Sequence, residues 1–463
     1  MKRIVPVLIA LIIPFVAYSQ EIADTTASAI SVEEQAVEEK ASADGRADDG
    51  SILKYRRSSL FSVIIEHPTF PYGEAIDSAF FAMPMPDKFN DHNLGVRAIV
   101  SNADKMKKGG KKKDETNEAD IRNFIQENHI AREMVAKWFN RDPYTGAFDM
   151  ELIQERGFYD ASQADINAAT LSTRSIAALG DAGEDLIGKT FMIVNDITFV
   201  DKGENSQKAA VAFSIIGRLA AAVTGSDALA DVGDAVAAGV NEIDGFTVNI
   251  TTYLYRLVWT DDCAGMMYTQ YWINPGSSDP ERKAAFENSD IFRLQYVGKA
   301  TSTAQNTSSK SFSKYSKSQQ MLRTCARAVD HSIVSLQREF DEFKVNVPIT
   351  KVNEDGTVEV AIGLKEGVTE HSRYEVLMAI QANDGHVRYQ HIGTLAPVKG
   401  KIWDNRFGAL DEALDAQAQG KTIDDASEDG ASGNALLTGT TFKVTEKTGK
   451  IMPGVLVREK KIK

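Results

Sequence analysis

Three β-rich runs in the middle of the chain set the narrowest limits on its fold. Residues 191–200 (FMIVNDITFV) are dense in β-branched and aromatic side chains and read as a buried strand. Residues 246–259 read as a second strand, with Phe246, Val248 and Ile250 alternating against Thr247, Asn249 and Thr251. Residues 291–297 read as a third. Helical segments separate the three, so residues 188–345 are expected to form a central mixed α/β domain. A helix over about 318–340 closes that stretch.

Upstream, residues 53–187 read as a mainly helical region. A short strand comes first, with Phe61, Val63 and Ile65 alternating against Ser62, Ile64 and Glu66, and it is ended by Pro68, Pro71 and Gly73. Residues 105–113 (KMKKGGKKK) read as an exposed loop, because paired glycines and like charges both resist burial. From Asp120 to Asn140 the apolar positions Ile121, Phe124, Ile125, Met134, Val135 and Trp138 fall on one helical face. His129 lies among polar residues there and reads as a surface histidine. A short helix follows Asp149, with Gly157 as its cap, and a longer one is expected over about 162–187.

Downstream of Val347 the period changes to that of strands. Asn353-Glu354-Asp355-Gly356 has hairpin-turn chemistry, and Val358, Val360 and Ile362 alternate after it. Residues 374–380, 386–392 and 441–444 read as further strands. Residues 346–463 are therefore expected to form a small β-barrel-like domain, carrying a mobile acidic loop at 411–435. The fold class is α+β: a helical N-terminal part, a central mixed α/β domain and a C-terminal small β-barrel.

The amino end specifies a destination. Lys2 and Arg3 precede an apolar run from Ile4 to Ala17, and Ala17-Tyr18-Ser19 offers small residues where signal peptidase reads. Residues 1–19 are expected to be a cleaved leader, too short to span a bilayer, which takes about 20 residues. Residues 20–52 follow as a disordered acidic tether, rich in Glu, Asp, Ala and Ser. Net charge is −13, and loss of Lys2 and Arg3 with the leader makes it more negative. Such a chain is a poor partner for nucleic acid, whose phosphates are met by Lys and Arg. Residues 208–245, rich in Ala and Gly, read as two close-packed helices, since Asp227, Asp231 and Asp234 make bilayer insertion costly. The mature chain is expected to lack a transmembrane span, with peripheral membrane association open.

No residue carries a catalytic, cofactor-binding or metal-binding assignment. Residues 183–190 (GEDLIGKT) match the phosphate-loop string. That cradle needs a strand before and a helix after, and here the order is reversed. Asp261-Asp262 and the acids at 424–429 lack the alternation of a calcium loop and read as solvated. Cys263 and Cys325 can form one disulfide or sit as buried free thiols. Trp259, Tyr268, Tyr271 and Trp272 are ligand-contact candidates if exposed together, and strand packing if buried.

The stretches AREMVAKWFNRDPYTGAFDMELIQERGFYDAS, GKTFMIVNDITFVDKG and TTYLYRLVW resemble uncharacterised exported proteins of the Bacteroidetes type, over about residues 55–300. In the C-terminal part, NEDGTVEVAIGLKEGV and TTFKVTEKTGKIMPGV look like the β-barrel modules of envelope assembly proteins such as flagellar assembly protein T. The first likeness implies no activity. The second implies a place in the envelope, in the periplasm or at the outer-membrane periphery, among protein partners. From the leader, the acidic tether, the modular α/β and β-barrel plan and the missing catalytic cluster, the expected function is a non-enzymatic scaffold or assembly factor acting through protein contacts. The alternatives are an exported glycan- or ligand-binding module, or a hydrolase with a site built from distant acids.

Overall fold

The computed structural model describes residues 58–70, 72–102, 111–160, 184, 186–201, 246–305, 317–381, 387–418 and 433–460. The expected leader, the tether, residues 208–245 and all but the last turn of the 162–187 helix lie outside them.

Six strands form one sheet. β1 (Ser58–Glu66), β2 (Phe89–Asp91), β3 (Ala98–Val100), β4 (Thr190–Asp201), β5 (Phe246–Val258) and β6 (Arg293–Gln305) pair in the order β2-β1-β4-β5-β6, with β3 also on β1. β2 and β3 take the two ends of the same edge of β1, at Ser58–Leu60 and Ile64–Glu66. β1 lies parallel to β4, and β4, β5 and β6 are mutually antiparallel. The N-terminal strand is therefore interior to the sheet. The regions 53–187 and 188–345, separate in the sequence reading, contribute to a single sheet.

Both faces of that sheet are covered, which explains why β1 is apolar at successive positions and not only at alternate ones. On one face Leu60, Ile64, Phe191, Ile193, Ile250 and Leu254 pack under α1 (Gly73–Ala82) and a long helix at 317–339. On the other, Phe61, Val63, Met192, Val194 and Tyr253 pack under helices from 111–160 and 261–287. The helix expected over 120–140 is two, α2 (Lys111–Glu127) and α3 (Ile130–Trp138). His129 breaks it in the left-handed region at φ 48, and it is exposed. The break re-aims the chain so that Ile121 and Phe124 before it and Ile130, Met134 and Trp138 after it reach the same core. α4 (Glu151–Asp160), α5 (Asp261–Met266), a π turn at Met267–Tyr271 and α6 (Pro280–Glu287) complete this layer. Asp279 caps α6 by accepting from the backbone N–H of Glu281 and Arg282.

α7 (Lys317–Glu339) leads into the C-terminal strands. β7 (Val347–Val352), β8 (Val358–Val360), β9 (Tyr374–Gln381), β10 (Val387–Pro397), β11 (Thr440–Lys447) and β12 (Leu456–Glu459) close into a ring in the order β10-β11-β8-β7-β12-β9. Ile349, Val358, Val360, Val376, Leu395 and Phe442 fill it. The 353–356 turn forms as its chemistry predicts: Gly356 takes φ 80 and donates its N–H to Asn353 O at 3.0 Å. The acidic loop expected over 411–435 begins instead as helix α8 (Ala409–Ala418). Ala409 and Ala413, one turn apart, are buried, and Glu412 is held by arginines of α7. Residues 419–432 lie outside the described residues.

Candidate functional site: the seam between sheet and ring

α7 serves both halves. Its apolar face, with Met321, Cys325, Val329 and Leu336, lies on the sheet. Its polar positions hold helix α8 and the ring. Arg323 donates from Nη1 to Glu412 Oε1 at 2.6 Å and to Gly408 O at 2.8 Å, and Arg327 donates from Nη2 to Glu412 Oε1 at 3.1 Å. Near the other end Arg338 donates to Gly367 O at 2.7 Å and pairs with Glu459 at 3.0 Å. Two further ion pairs cross the seam from the loop before β2: Lys365 to Asp87 at 3.1 Å, and Lys88 to Glu366 at 3.9 Å.

These ties leave two adjoining cavities, of about 60 Å³ and about 180 Å³, which share Pro86, Asp330 and Lys365. The smaller is walled by Ile333, Val334, Val345, Val347 and Val457. The larger reaches Ser62, Asp91, Asn93 and Arg97. Arg97 is held there by its Nε bond to Ser62 O at 3.1 Å and by lying 5.2 Å over the ring of Phe80.

Asp330 projects from α7 into both cavities. Burial pushes its carboxyl up to about 7; Lys365 and Arg327 oppose that rise, and Glu366 and Asp87 add to it. Lys365 is held above the usual lysine range: burial disfavours its charge, and Asp330, Asp87 and Glu366 together more than offset this. Glu366 accepts at Oε2 from Gly363 N–H and from Asn405 Nδ2, both at 2.7 Å. Its buried Oε1 accepts no hydrogen bond.

The aromatic candidates lie elsewhere, on the α3 side of the sheet. Phe139 gathers three of them, with ring centroids at 5.9 Å from Trp259, 6.0 Å from Tyr268 and 5.9 Å from Trp272. Tyr271, the fourth, is buried against Phe286 and Phe292. Only Tyr268 reaches 36% exposure; Trp259 and Trp272 are half-buried. The set is thus split between a packed aromatic core and a narrow rim formed by Tyr268 and Trp272.

Cys263 and Cys325 are both free and buried. Cys263 belongs to the core under α3, and Cys325 to the core under α7, so the sheet stands between them. The two thiols are not bonded to each other. In the phosphate-loop string, Gly188 and Lys189 form a turn that enters β4, and Thr190 is wholly buried. A strand follows the string where the cradle needs a helix. Asp261 and Asp262 are exposed in the first turn of α5. Among the described residues, no three His, Cys, Asp or Glu side chains are grouped as for a metal ion.

The sequence reading did not single out Asp330, Lys365 or Glu366. One signal was available: Asp330 stands beside Ala328, Val329, Ile333 and Val334, a lone acid among the apolar residues of an amphipathic helix. Lys365 and Glu366 carry no such mark, since a charged pair between glycines reads as a surface turn.

No protein-family model matches the chain, and no curated protein matches it. Among the described residues, no helix is long and apolar enough to cross a membrane.

Proposed function

We propose that this chain is an exported cell-envelope protein, of the periplasm or the outer-membrane periphery, that acts by binding envelope proteins as a scaffold or assembly factor. We read its closed ring as a small β-barrel module and the seam cleft as its binding site. The observation that carries the reading is the fixed attachment of ring to sheet. The pairs Arg338–Glu459 and Lys365–Asp87 tie the ring to α7 and to the loop before β2 beside the seam cavities, between two separately packed cores. A preformed cleft lowers the ordering cost of association. The leader pattern at residues 1–19 supports export.

The test is fractionation of the tagged native protein, combined with a photo-crosslinking residue at Gln337 in the cleft or at Tyr144, which is 87% exposed. Recovery in envelope fractions, with adducts from position 337 and none from 144, is expected. Recovery with the cytosol would overturn the export reading. Envelope recovery without adducts at 337 would overturn the cleft.

A second reading is favoured by one observation. Asp330 keeps its proton to about 7 beside the other acids of the cleft, which is the chemistry of a general acid. An exported hydrolase would turn over a broad substrate panel at a saturable rate, and Asp330→Asn would abolish that turnover.

A further inference from the structure

The charges at the seam do not balance from within. Lys365 is paired with Asp87, Lys88 stands against Glu366, and Glu459 is taken by Arg338. Asp330 is left over. Asp330 is half-buried where the two cavities meet, faced by Lys365 and Arg327, and among the described residues its carboxylate accepts no hydrogen bond and has no ion pair. Glu366 lines the smaller cavity too; its buried Oε1 accepts no hydrogen bond, the nearest cation being Lys88 Nζ at 3.9 Å. Carboxylate oxygens that accept no hydrogen bond, set beside apolar walls, favour a ligand that brings donors and positive charge.

Size narrows the choice. One water needs roughly 10–15 Å³ of cavity. The smaller cavity, at about 60 Å³, therefore takes on the order of five heavy atoms by that measure. Ile333, Val334, Val345, Val347 and Val457 give those atoms an apolar wall. We propose that the seam binds a primary ammonium carried on a short alkyl chain, with Asp330 and Glu366 Oε1 accepting its N–H groups and the valine–isoleucine wall packing its methylenes. This deepens the reading of the seam as the binding site and rests on it.

The group that titrates is faced by Arg327 on its own helix, by Lys365 and Glu366 from the ring, and by Asp87 from the loop before β2. Ammonium binding needs Asp330 ionised, so affinity rises with pH through neutrality. Between pH 5.5 and 8 the competent fraction, and with it the apparent affinity, changes on the order of 30-fold.

The experiment uses the purified full chain and titration calorimetry with n-butylammonium, n-butanol and butyrate at matched ionic strength. Saturable binding of n-butylammonium alone at pH 8, weakened at pH 5.5, is expected. Asp330→Asn is expected to abolish it, whereas Asp355→Asn in the exposed 353–356 turn leaves it intact. Glu366→Gln is expected to weaken it, which keeps the test open if the first variant folds poorly. Equal responses to n-butanol, or parental binding by Asp330→Asn, would overturn the proposal. Nα-acetyl-lysine N-methylamide separates two sources of the same group. Tighter binding than n-butylammonium assigns the site to a lysine of a partner polypeptide, and weaker binding assigns it to a free amine. Crosslinking at Gln337 together with failed amine binding would remove the ammonium and keep the cleft. Failure of both would remove the cleft itself.

Discussion

Trp138 donates its indole N–H to Thr190 Oγ1 at 2.8 Å, and both residues are completely buried. The bond joins the last residue of α3 to the first residue of β4, with the Arg156 guanidinium 4.3 Å over the indole ring. Trp138→Phe removes the donor, leaves a buried hydroxyl without it and opens space beneath a cation. A loss of about 2–3 kcal/mol in unfolding free energy is expected, measured by urea denaturation. Thr190→Val is expected to cost less than Trp138→Phe, because it leaves the packing of the indole in place.

Glu412 is 6% exposed and neutralises two guanidinium groups of α7, one of them on Arg323 at 7% exposure. Glu412→Ala takes the buried carboxylate from both cations and leaves Arg323 the exposed Asp411 at 3.2 Å. A cost of about 3–5 kcal/mol is expected, with faster hydrogen exchange over 404–418 as the local signature.

Two opposed pH effects are built into the core. Burial, with Arg156 adding to it, pushes the His92 imidazole down to about 3 from its ordinary 6.5. The unfolded chain therefore takes up that proton first, and stability is lost as pH falls from 6.5 toward 3. Burial pushes the Asp77 carboxyl up to about 7, with Glu66 and Glu74 adding and His67 opposing, and Asp330 also stands near 7. Here the folded chain keeps protons that the unfolded chain releases, so stability is lost as pH rises from 3.8 through 7. Urea midpoints from pH 3 to 8.5 are expected to pass through a maximum. His92→Gln is expected to flatten the acid side only. Asp77→Asn is expected to raise the midpoint at pH 8 and leave it unchanged near pH 3.

The Cys325 thiol is pushed up to about 12 by burial, and it is 0% exposed. Neither Cys325 nor Cys263 is expected to react with a thiol reagent in the native state, and both are expected to react in urea. Reductant is expected to leave the thermal midpoint unchanged, since the two thiols are free. A midpoint that falls with reductant would contradict the placement of the sheet between them.

What could be read in the sequence follows the range of the forces involved. β4 and β5 were legible because their side chains alternate locally and both are buried; residues 191–200 and 246–259 differ from the observed bounds by a residue or so. β6 was seen only as far as 297, because its second half (KATSTAQ) is small and polar. It is an edge strand, and in that half Ala300 and Ala304 are the buried side chains among the described residues. β12 was missed, being four residues long and set by its pairing with β9 and β7. The place of β1 between β2 and β4 was invisible, since no local pattern specifies a parallel partner so far along the chain. The seam was invisible for the same reason: Asp330, Lys365, Glu366 and Asp87 come from three separate stretches and meet only once the ring has docked on α7.

The parallel pairing of β1 with β4, Ser59 opposite Thr190, also carries a kinetic consequence. β1 leaves the ribosome before β4, and eight of its nine residues are destined for burial. It must wait for a partner made more than a hundred residues later, and contacts of such separation slow folding because loop closure precedes any gain. Until then the edge of β1 that β4 covers stays open on an apolar strand, a form prone to misassociate. A holding factor that shields residues 58–66 until β4 arrives would raise the yield of native protein more than any gain in final stability.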